Sequence, residues 1–217
     1  MNLKMKRTAD IFILTVILFF SSLKSVFPKN IDWLIEQANR ARLELDNVGF
    51  SFTEKIEIKG IEENTIEGKI VFKKPDNLFI EYQNPERETI VVNSKKSWVW
   101  LPSENQVIIQ SPDSLESILG VNRSVLYFFH DLNDLMKDYK VKLLDYKKKN
   151  YTVSVENDEE RMVIFISDKT FIPVKIICEN EMVSISFHAR DIKINQNLSE
   201  DFFEFKVPEN AAVFNLP

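Results

Sequence analysis

The side chains that most often perform catalysis are scarce in this 217-residue chain and lie far apart. Its two histidines, His130 and His188, and its single cysteine, Cys178, fall in separate parts of the sequence. A serine triad needs a histidine together with a nucleophile motif such as G-x-S-x-G, which is absent. The four glycines form no phosphate-binding loop. The sequence therefore favours binding over catalysis, and we expect no enzyme activity, no cofactor and no metal.

The remaining reactive groups have structural explanations. Asp158, Glu159 and Glu160 fall in a predicted hairpin turn, where solvated charge is the usual state. His130 is predicted on the polar side of a helix and His188 near the end of a strand, so surface or structural roles are expected for both. The lone cysteine excludes an internal disulfide, and stability in an oxidising compartment must then come from the core.

Short strands are the elements that must position a binding site. From Phe50 to Ile58, apolar and polar residues alternate with the period of two that a half-buried strand requires. Similar segments follow, separated by turn residues such as Lys74-Pro75-Asp76. These further strands are expected at Ile66–Lys73, Asn77–Gln83, Glu88–Val92, Ser97–Leu101, Gln106–Gln110, Lys140–Asp145, Tyr151–Glu156, Arg161–Ser167, Pro173–Cys178 and Met182–Arg190. Short strands with tight polar turns indicate an antiparallel meander.

Helical periodicity replaces the strand pattern in two places. Asn30 is a suitable N-cap for a helix that extends to about Asp46, because apolar residues recur there at spacings of three and four. A short helix is predicted from Pro112 to near Gly120, followed by a longer one over Ser124–Tyr139 with a broad apolar stripe.

The number of strands constrains the fold. An antiparallel sheet of about eleven strands accumulates twist and must curl, and its apolar face must be covered. The helical segments are the available cover. We therefore predict a mainly β protein of the α+β class, built as a strongly curved, incompletely closed antiparallel barrel with helices over its concave face.

The first 25 residues have the features of a signal peptide. Three basic residues precede the apolar run Ile11–Phe20, and serines follow it. A spanning helix needs roughly 20 apolar residues, so cleavage is expected, with an uncleaved anchor as the alternative. Residues 26–217 would then form a single domain. Cleavage after Ser25 removes four of 28 basic and one of 33 acidic residues, which leaves 24 against 32 and a net charge of −8. That charge disfavours nucleic acid as a partner.

Two blocks of sequence carry a family resemblance. The first, from Gly68 to Pro102, contains G-x-I-x-F-K-K-P, L-F-I-E-Y, the strand Ile90–Val92 and W-V-W-L-P. The second is N-Q-N-L-S-E-D-F-F-E-F-K-V-P, from Asn195 to Pro208. In this order, behind a signal peptide, they resemble the periplasmic outer-membrane lipoprotein carriers, the LolA-like family.

The resemblance implies a periplasmic chaperone that takes acylated lipoproteins from an inner-membrane ABC transporter and delivers them to an outer-membrane acceptor. Each exposed methylene costs about 0.8 kcal/mol, so one chain of roughly 16 carbons costs on the order of 12 kcal/mol in water. A cargo with several such chains needs a sheltering cavity. A monomer is expected.

The resemblance also implies where acyl chains would bind. By strand parity Leu78, Ile80 and Tyr82 share one face, and adjacent strands extend it. The implied cavity residues are Phe52, Ile56, Ile70, Phe72, Leu78, Ile80, Tyr82, Trp98, Trp100 and Ile109. The alternative is that this face is ordinary core, and a register shift of one residue would invert the face of any strand.

A helical lid and a latch are implied as well. Phe128, Phe129, Leu132 and Met136 would form the inner surface of the lid. Lys74 stands where the family usually has an arginine just before the proline, a residue thought to hold the lid through backbone carbonyls. Lysine offers three donors and arginine five, so the latch is expected to be weaker or rebuilt. The alternatives are a permanently packed stripe and a solvated turn lysine.

Two other functions are compatible with the same pattern. The lipid-sensing domain of envelope-stress regulators has a similar fold, but such regulators usually carry a further C-terminal domain, and this chain ends soon after a strand predicted over Phe202–Val207. A carrier of another amphiphilic lipid is the second alternative, because a cavity of this kind contacts mainly hydrocarbon.

Overall fold

The segments with period-two alternation fold as strands. The computed structural model describes residues 30–61, 63–112, 136–158 and 160–216. Its helical elements are α1 (Ile31–Glu44) and a 3-10 helix (Glu200–Phe203). Its strands are β1 (Asn47–Ile58), β2 (Asn64–Lys73), β3 (Asn77–Asn84), β4 (Glu88–Val92), β5 (Ser97–Leu101), β6 (Gln106–Gln110), β7 (Lys140–Lys147), β8 (Asn150–Glu156), β9 (Arg161–Ser167), β10 (Pro173–Glu179), β11 (Val183–Ile194) and β12 (Ala212–Asn215).

The described strands form one 12-stranded sheet in the order β12-β6-β5-β4-β3-β2-β1-β11-β10-β9-β8-β7. Neighbours pair antiparallel, except that β12 lies parallel to β6. The two edges, β12 and β7, do not meet, so the sheet is open and curved, as predicted. The long strand β1 holds the two halves together, because it pairs with β2 on one side and with β11 on the other.

Helix α1 begins where the sequence predicts and ends two residues earlier than expected. The Asn30 side chain accepts a hydrogen bond of 2.9 Å from the Trp33 backbone N–H, which is the usual N-cap interaction. Asp32 in the first turn and Arg42 in the last complement the helix dipole. Leu34, Ile35 and Ala38 are buried in the main hydrophobic core.

The strand register divides the sheet into two faces. The inner face is the one that shares its core with α1, and most of its side chains are buried or half-buried apolar groups. One row across five strands contains Phe50, Ile70, Ile80, Ile90 and Val99. A row on the other half contains Phe187, Ile176, Ile164, Val153 and Leu143. Alternation along each strand therefore produces one continuous apolar surface.

The outer face of strands β3 to β6 carries a second, smaller apolar cluster. Val91 and Val107 are 3% and 0% exposed although they lie on the outer face. The 3-10 helix packs nearby, with the Phe202 ring 5.5 Å from that of Phe79. The Asn93 amide donates a 3.1 Å hydrogen bond to the Phe203 carbonyl. The C-terminal strap, residues 199–216, thus crosses the outer face before it adds β12.

Two predictions about the C-terminus are wrong. The segment predicted as a strand over Phe202–Val207 is a 3-10 helix followed by irregular chain, because the adjacent Phe202 and Phe203 pack on the outer face of the sheet. Strand β12 is additional to the predicted set. The predicted helices at Pro112–Gly120 and Ser124–Tyr139, and the signal peptide, lie outside the described residues apart from their margins.

We predict that Gly68→Ala destabilises the fold, whereas Gly49→Ala does not. A Cβ at Gly68 would overlap the Glu81 carbonyl oxygen and come within 2.8 Å of the Phe52 ring, so strand β2 would have to move. At Gly49 the same atom meets Val71 at 3.4 Å, an ordinary contact. Urea denaturation should show a loss of about 2 kcal/mol or more for Gly68→Ala. Equal stability of the two variants would contradict the close packing of β2 on Phe52.

Candidate functional site

The inner face brings together most of the predicted cavity residues. Seven of them lie on it in the register of strands β1, β2 and β3. These are Phe52, Ile56, Ile70, Phe72, Leu78, Ile80 and Tyr82. Ile70 and Ile80 are fully buried, whereas Phe72 and Tyr82 are half-buried at opposite ends of this surface. The strand parity that the sequence predicts for β1 to β3 therefore matches the register.

The remaining three predicted cavity residues are on the wrong face. Ile90 pairs with Val99, so Val99 lies on the inner face, as does Leu101 two residues later. Trp98 and Trp100 therefore lie on the outer face. Ile109 pairs with Trp98 and follows it to the outer face. The physical reason is that W-V-W-L is apolar at every position, and alternation then gives no information about which residues face the core. Ile108 takes the inner position that was expected for Ile109.

Aromatic rings line the inner face where β1 crosses the middle of the sheet. The Phe52 and Phe187 rings stack with centroids 5.1 Å apart, and Phe50 meets Phe187 edge-on at 6.2 Å. Tyr82 contacts Phe52 edge-on at 5.9 Å. Rigid rings in these geometries present a large apolar area with little conformational entropy to lose on contact with hydrocarbon. Phe187 is a site residue that the sequence analysis missed, although its alternation with His188 marks it as inward-facing.

Carboxyl groups mark one end of this apolar surface. Glu54 follows Phe52 on the inner face and is 1% exposed. The nearby Glu160 accepts a 2.5 Å hydrogen bond from the Tyr139 hydroxyl. Burial, with the Glu86 carboxylate next in effect, raises the pKa of Glu88, which lies opposite Tyr82. The inner face is therefore apolar in its centre and polar at this margin.

Helix α1 covers the inner face on the half of the sheet that contains β8 and β9. The Trp33 ring lies 5.8 Å from Tyr151 and 5.8 Å from Phe171, edge-on to both. Tyr151 is 1% exposed and stacks on Phe171 at 6.3 Å. The helix is therefore fixed at its N-terminal half by aromatic packing against β8 and the turn that follows β9.

Hydrogen bonds from a lysine side chain to the last carbonyls fix the C-terminal end of α1. The Lys74 ammonium donates to the Arg42 carbonyl at 2.9 Å and to the Leu43 carbonyl at 3.1 Å. The last carbonyls of a helix can accept hydrogen bonds from outside it, and a cation there also suits the helix dipole. Lys74 thus contacts backbone carbonyls of α1, whereas the resemblance implies contacts with the lid helix.

A cluster of amide side chains completes the same junction. Buried Asn47 donates from its side chain to the Gln196 carbonyl at 2.9 Å, and its side-chain oxygen accepts from the Gln196 N–H at 2.9 Å. Asn195 donates to the Glu44 carbonyl at 3.2 Å and accepts from the Asp46 N–H at 2.8 Å. The N-Q-N block therefore ties the turn between α1 and β1 to the end of β11, a role that its polarity alone did not reveal.

Of the four predicted lid residues, Met136 lies within the described chain, and Phe128, Phe129 and Leu132 lie outside it. Met136 is 42% exposed. It borders a groove of about 570 Å³ beside α1 together with Ile35 and Leu43, and Leu43 is 72% exposed. Met136, in the described end of the predicted lid segment, therefore borders α1.

The histidine among the described residues lies away from the apolar inner face. Burial, followed by the charges of Lys175 and Arg190, lowers the pKa of His188, which lies on the outer face. Within the described ranges no three histidine, cysteine or acidic side chains are grouped as metal ligands. A membrane-spanning helix is likewise not found among the described residues.

We predict that Cys178 is unreactive in the folded protein. Burial, reinforced by the carboxylates of Glu160, Glu54 and Glu179, raises the pKa of its thiol from 9.0 to about 12. The thiolate fraction near pH 8 then falls by roughly a thousandfold, and iodoacetamide should react far faster with the urea-unfolded chain. Because the folded thiol holds its proton to higher pH than the unfolded one, stability should decline as pH rises from 9.0 towards 12. Equal alkylation of native and unfolded protein would contradict this placement, and Cys178→Ser provides the unlabelled control.

The chain is similar to known proteins in sequence and in fold. A protein from Idiomarina loihiensis described as an outer-membrane lipoprotein carrier protein is 21% identical over 150 residues, 69% of this chain and 70% of that protein. The crystal structure of an uncharacterized conserved protein from Thermus thermophilus superimposes with a TM-score of 0.57 at 14% identity, covering 83% of this chain and 98% of that one. MucB superimposes with a TM-score of 0.50 at 12% identity, over 79% of this chain and 62% of MucB. These two structures share the fold.

The model of the family "Outer membrane lipoprotein carrier protein LolA" matches residues 44–206, three quarters of the sequence, and the chain belongs to that family.

Proposed function

We propose that this protein is a periplasmic chaperone that carries acylated lipoproteins from the inner to the outer membrane. It would receive them from an inner-membrane ABC transporter and pass them to an outer-membrane acceptor. The observation that carries the proposal is the continuous apolar inner face of an open sheet, in a chain of the LolA family. The acyl chains would lie along this face, in contact with the predicted cavity residues of strands β1 to β3. Residues 26–217 would act as one domain after removal of the signal peptide.

The physical basis of the proposal is the transfer of hydrocarbon out of water. Exposing an acyl chain of roughly 16 carbons to water costs about 12 kcal/mol, and burial of the chain against an extended apolar surface removes that cost. Alternating strands supply it without side chains that could react with the cargo. The carboxyl groups at one margin would remain near the polar part of the cargo.

Loading requires the inner face to open. Ile80 and Ile90 are 0% and 1% exposed, so an acyl chain reaches them only after the groups that cover them move. Helix α1 belongs to the same hydrophobic core as both residues, and its C-terminal end is held by hydrogen bonds from Lys74. We infer that α1 and the predicted lid helix move apart during loading and that Lys74 acts as the latch.

Depletion of the protein in its own organism tests the proposal directly. Acylated lipoproteins should accumulate at the inner membrane, because their acyl chains then lack a carrier. Membrane fractionation followed by mass spectrometry of lipoproteins measures this. Unchanged lipoprotein location would contradict the sorting role. A changed envelope-stress response in the same cells would instead favour the alternative function of lipid sensing.

Paired substitutions on the two faces test where acyl chains bind. Phe72→Ser on the inner face should weaken binding of a fluorescent diacyl lipid by about tenfold, because it removes apolar contact area. Trp100→Ser on the outer face is the matched control and should bind as the unaltered protein does. The reverse order of effects would place the lipid on the outer face and contradict the proposal.

We predict that Lys74→Leu changes cargo release more than folding. Two hydrogen bonds of about 1 kcal/mol each hold the end of α1, and their loss should speed release of bound lipoprotein by roughly tenfold. The melting temperature should change little, because the aromatic contacts of Trp33 remain. Lys74→Arg keeps the donors and is the control. Equal release from all three proteins would show that Lys74 is not a latch.

A further inference from the structure

A cleft of about 620 Å³ lies at the end of the sheet where the β1–β2 and β10–β11 turns meet. It is remote from Lys74, which occupies the β2–β3 turn at the opposite end of strand β2. Strand pairing brings the two turns side by side, since Ile58 pairs with Val183. The function proposed above assigns no role to these two turns.

The floor of the cleft is apolar and open to solvent. Ile58, Ile61 and Met182 are 37%, 66% and 56% exposed, and all three line it. Single exposed apolar residues are ordinary on protein surfaces, whereas several that share one concave site mark an interaction surface. Two strand ends and two turns therefore combine to present these three side chains together.

Carboxylates form the rim. Glu57, Glu63, Glu179 and Glu181 line the same cleft, and Lys59 is the one cation among the lining residues that the structure describes. The hydrogen bond from the Lys55 ammonium, 2.6 Å long, lowers the pKa of Glu63 and keeps it ionised. The described lining groups thus carry an excess of negative charge around the apolar floor.

The turns that build the cleft are held by hydrogen bonds. The Lys59 N–H donates to the Met182 carbonyl at 2.9 Å and joins the two turns. The Asn180 side-chain oxygen accepts from the Met182 and Val183 N–H groups at 2.9 and 2.8 Å. Gly60 allows the first turn with a φ of +84°. The exposed side chains are therefore presented on a preformed surface, which lowers the entropy lost on binding.

We propose that this acid-rimmed cleft docks a polypeptide segment of a partner protein in which lysine or arginine residues flank apolar side chains. Charge complementarity selects that partner, because the carboxylate rim attracts cations while the floor accepts apolar groups. An anionic membrane surface is disfavoured, since its charge has the sign of the rim. The volume accommodates a few side chains of a strand or turn.

Peptide binding to the full processed protein tests the proposal. The probe is a fluorescein-labelled peptide of about twelve residues that alternates leucine and lysine, measured by anisotropy. Two cleft variants are compared with the unaltered protein: Glu57→Gln with Glu179→Gln, and Ile61→Ser with Met182→Ser. Each should raise the Kd by about tenfold or more, and the affinity should fall as ionic strength rises. Circular dichroism checks that the variants fold, which is expected because the altered side chains are exposed.

Matched controls separate this site from general attraction to an acidic protein. Leu144→Ser with Asp145→Asn alters a similar exposed pair on the edge strand β7 and should leave the Kd within about twofold. Peptides with glutamate for lysine, or serine for leucine, should not bind. Equal loss in the control variant, or unchanged binding in both cleft variants, would overturn the proposal.

Two other occupants are excluded by direct measurement. Sedimentation should show a monomer; association that is lost in the cleft variants would identify a second copy as the occupant and overturn the proposal. Vesicles of anionic phospholipid should not co-sediment with the unaltered protein in the absence of peptide, and co-sedimentation that is lost in the cleft variants would assign the cleft to a membrane surface. These outcomes do not depend on lipoprotein sorting, so the docking site can fail while the carrier function stands.

Discussion

The structure depends on one constraint: in an open sheet, other parts of the chain must cover the apolar face. A closed barrel would bury its interior by joining its edges, but here β12 and β7 remain apart. Alternation along the strands places the large apolar residues on the side of α1, and the register keeps them in continuous rows. An apolar face that needs a cover would also shelter hydrocarbon from water if that cover moved, which is the basis of the proposed function.

The two faces of the sheet are stabilised in different ways. The inner face packs on α1, whose ends are held by Trp33 at one side and by Lys74 and Asn195 at the other. The outer face is crossed by the C-terminal strap, which places Phe202 on Phe79. The strap covers the outer apolar cluster, whereas among the described residues the inner face offers the larger apolar surface, and its cover α1 is held at one end by a few hydrogen bonds. This asymmetry supports the assignment of cargo to the inner face.

The sequence predicts most of the elements and part of the site. Turn residues and strict alternation define β1 to β3, and Asn30 defines the start of α1. The faces of β5 and β6 could not be predicted, because Trp98-Val99-Trp100-Leu101 is apolar throughout and its register is set by pairing with Ile90. Strand β12 pairs with β6 across about a hundred residues, and short parallel edge strands have no local signal. The contacts of Asn195 and Lys74 likewise follow from tertiary structure.

The most direct test of the central claim is to map where an acyl chain touches the protein. A lipoprotein or diacyl lipid with a photoactivatable group in its acyl chain would be cross-linked to the folded protein, and the labelled residues would be identified by mass spectrometry. The account predicts labels at inner-face positions such as Ile70, Ile80 and Phe187. Labels confined to outer-face positions such as Phe79 and Trp98, or no labelling of the folded protein, would contradict it.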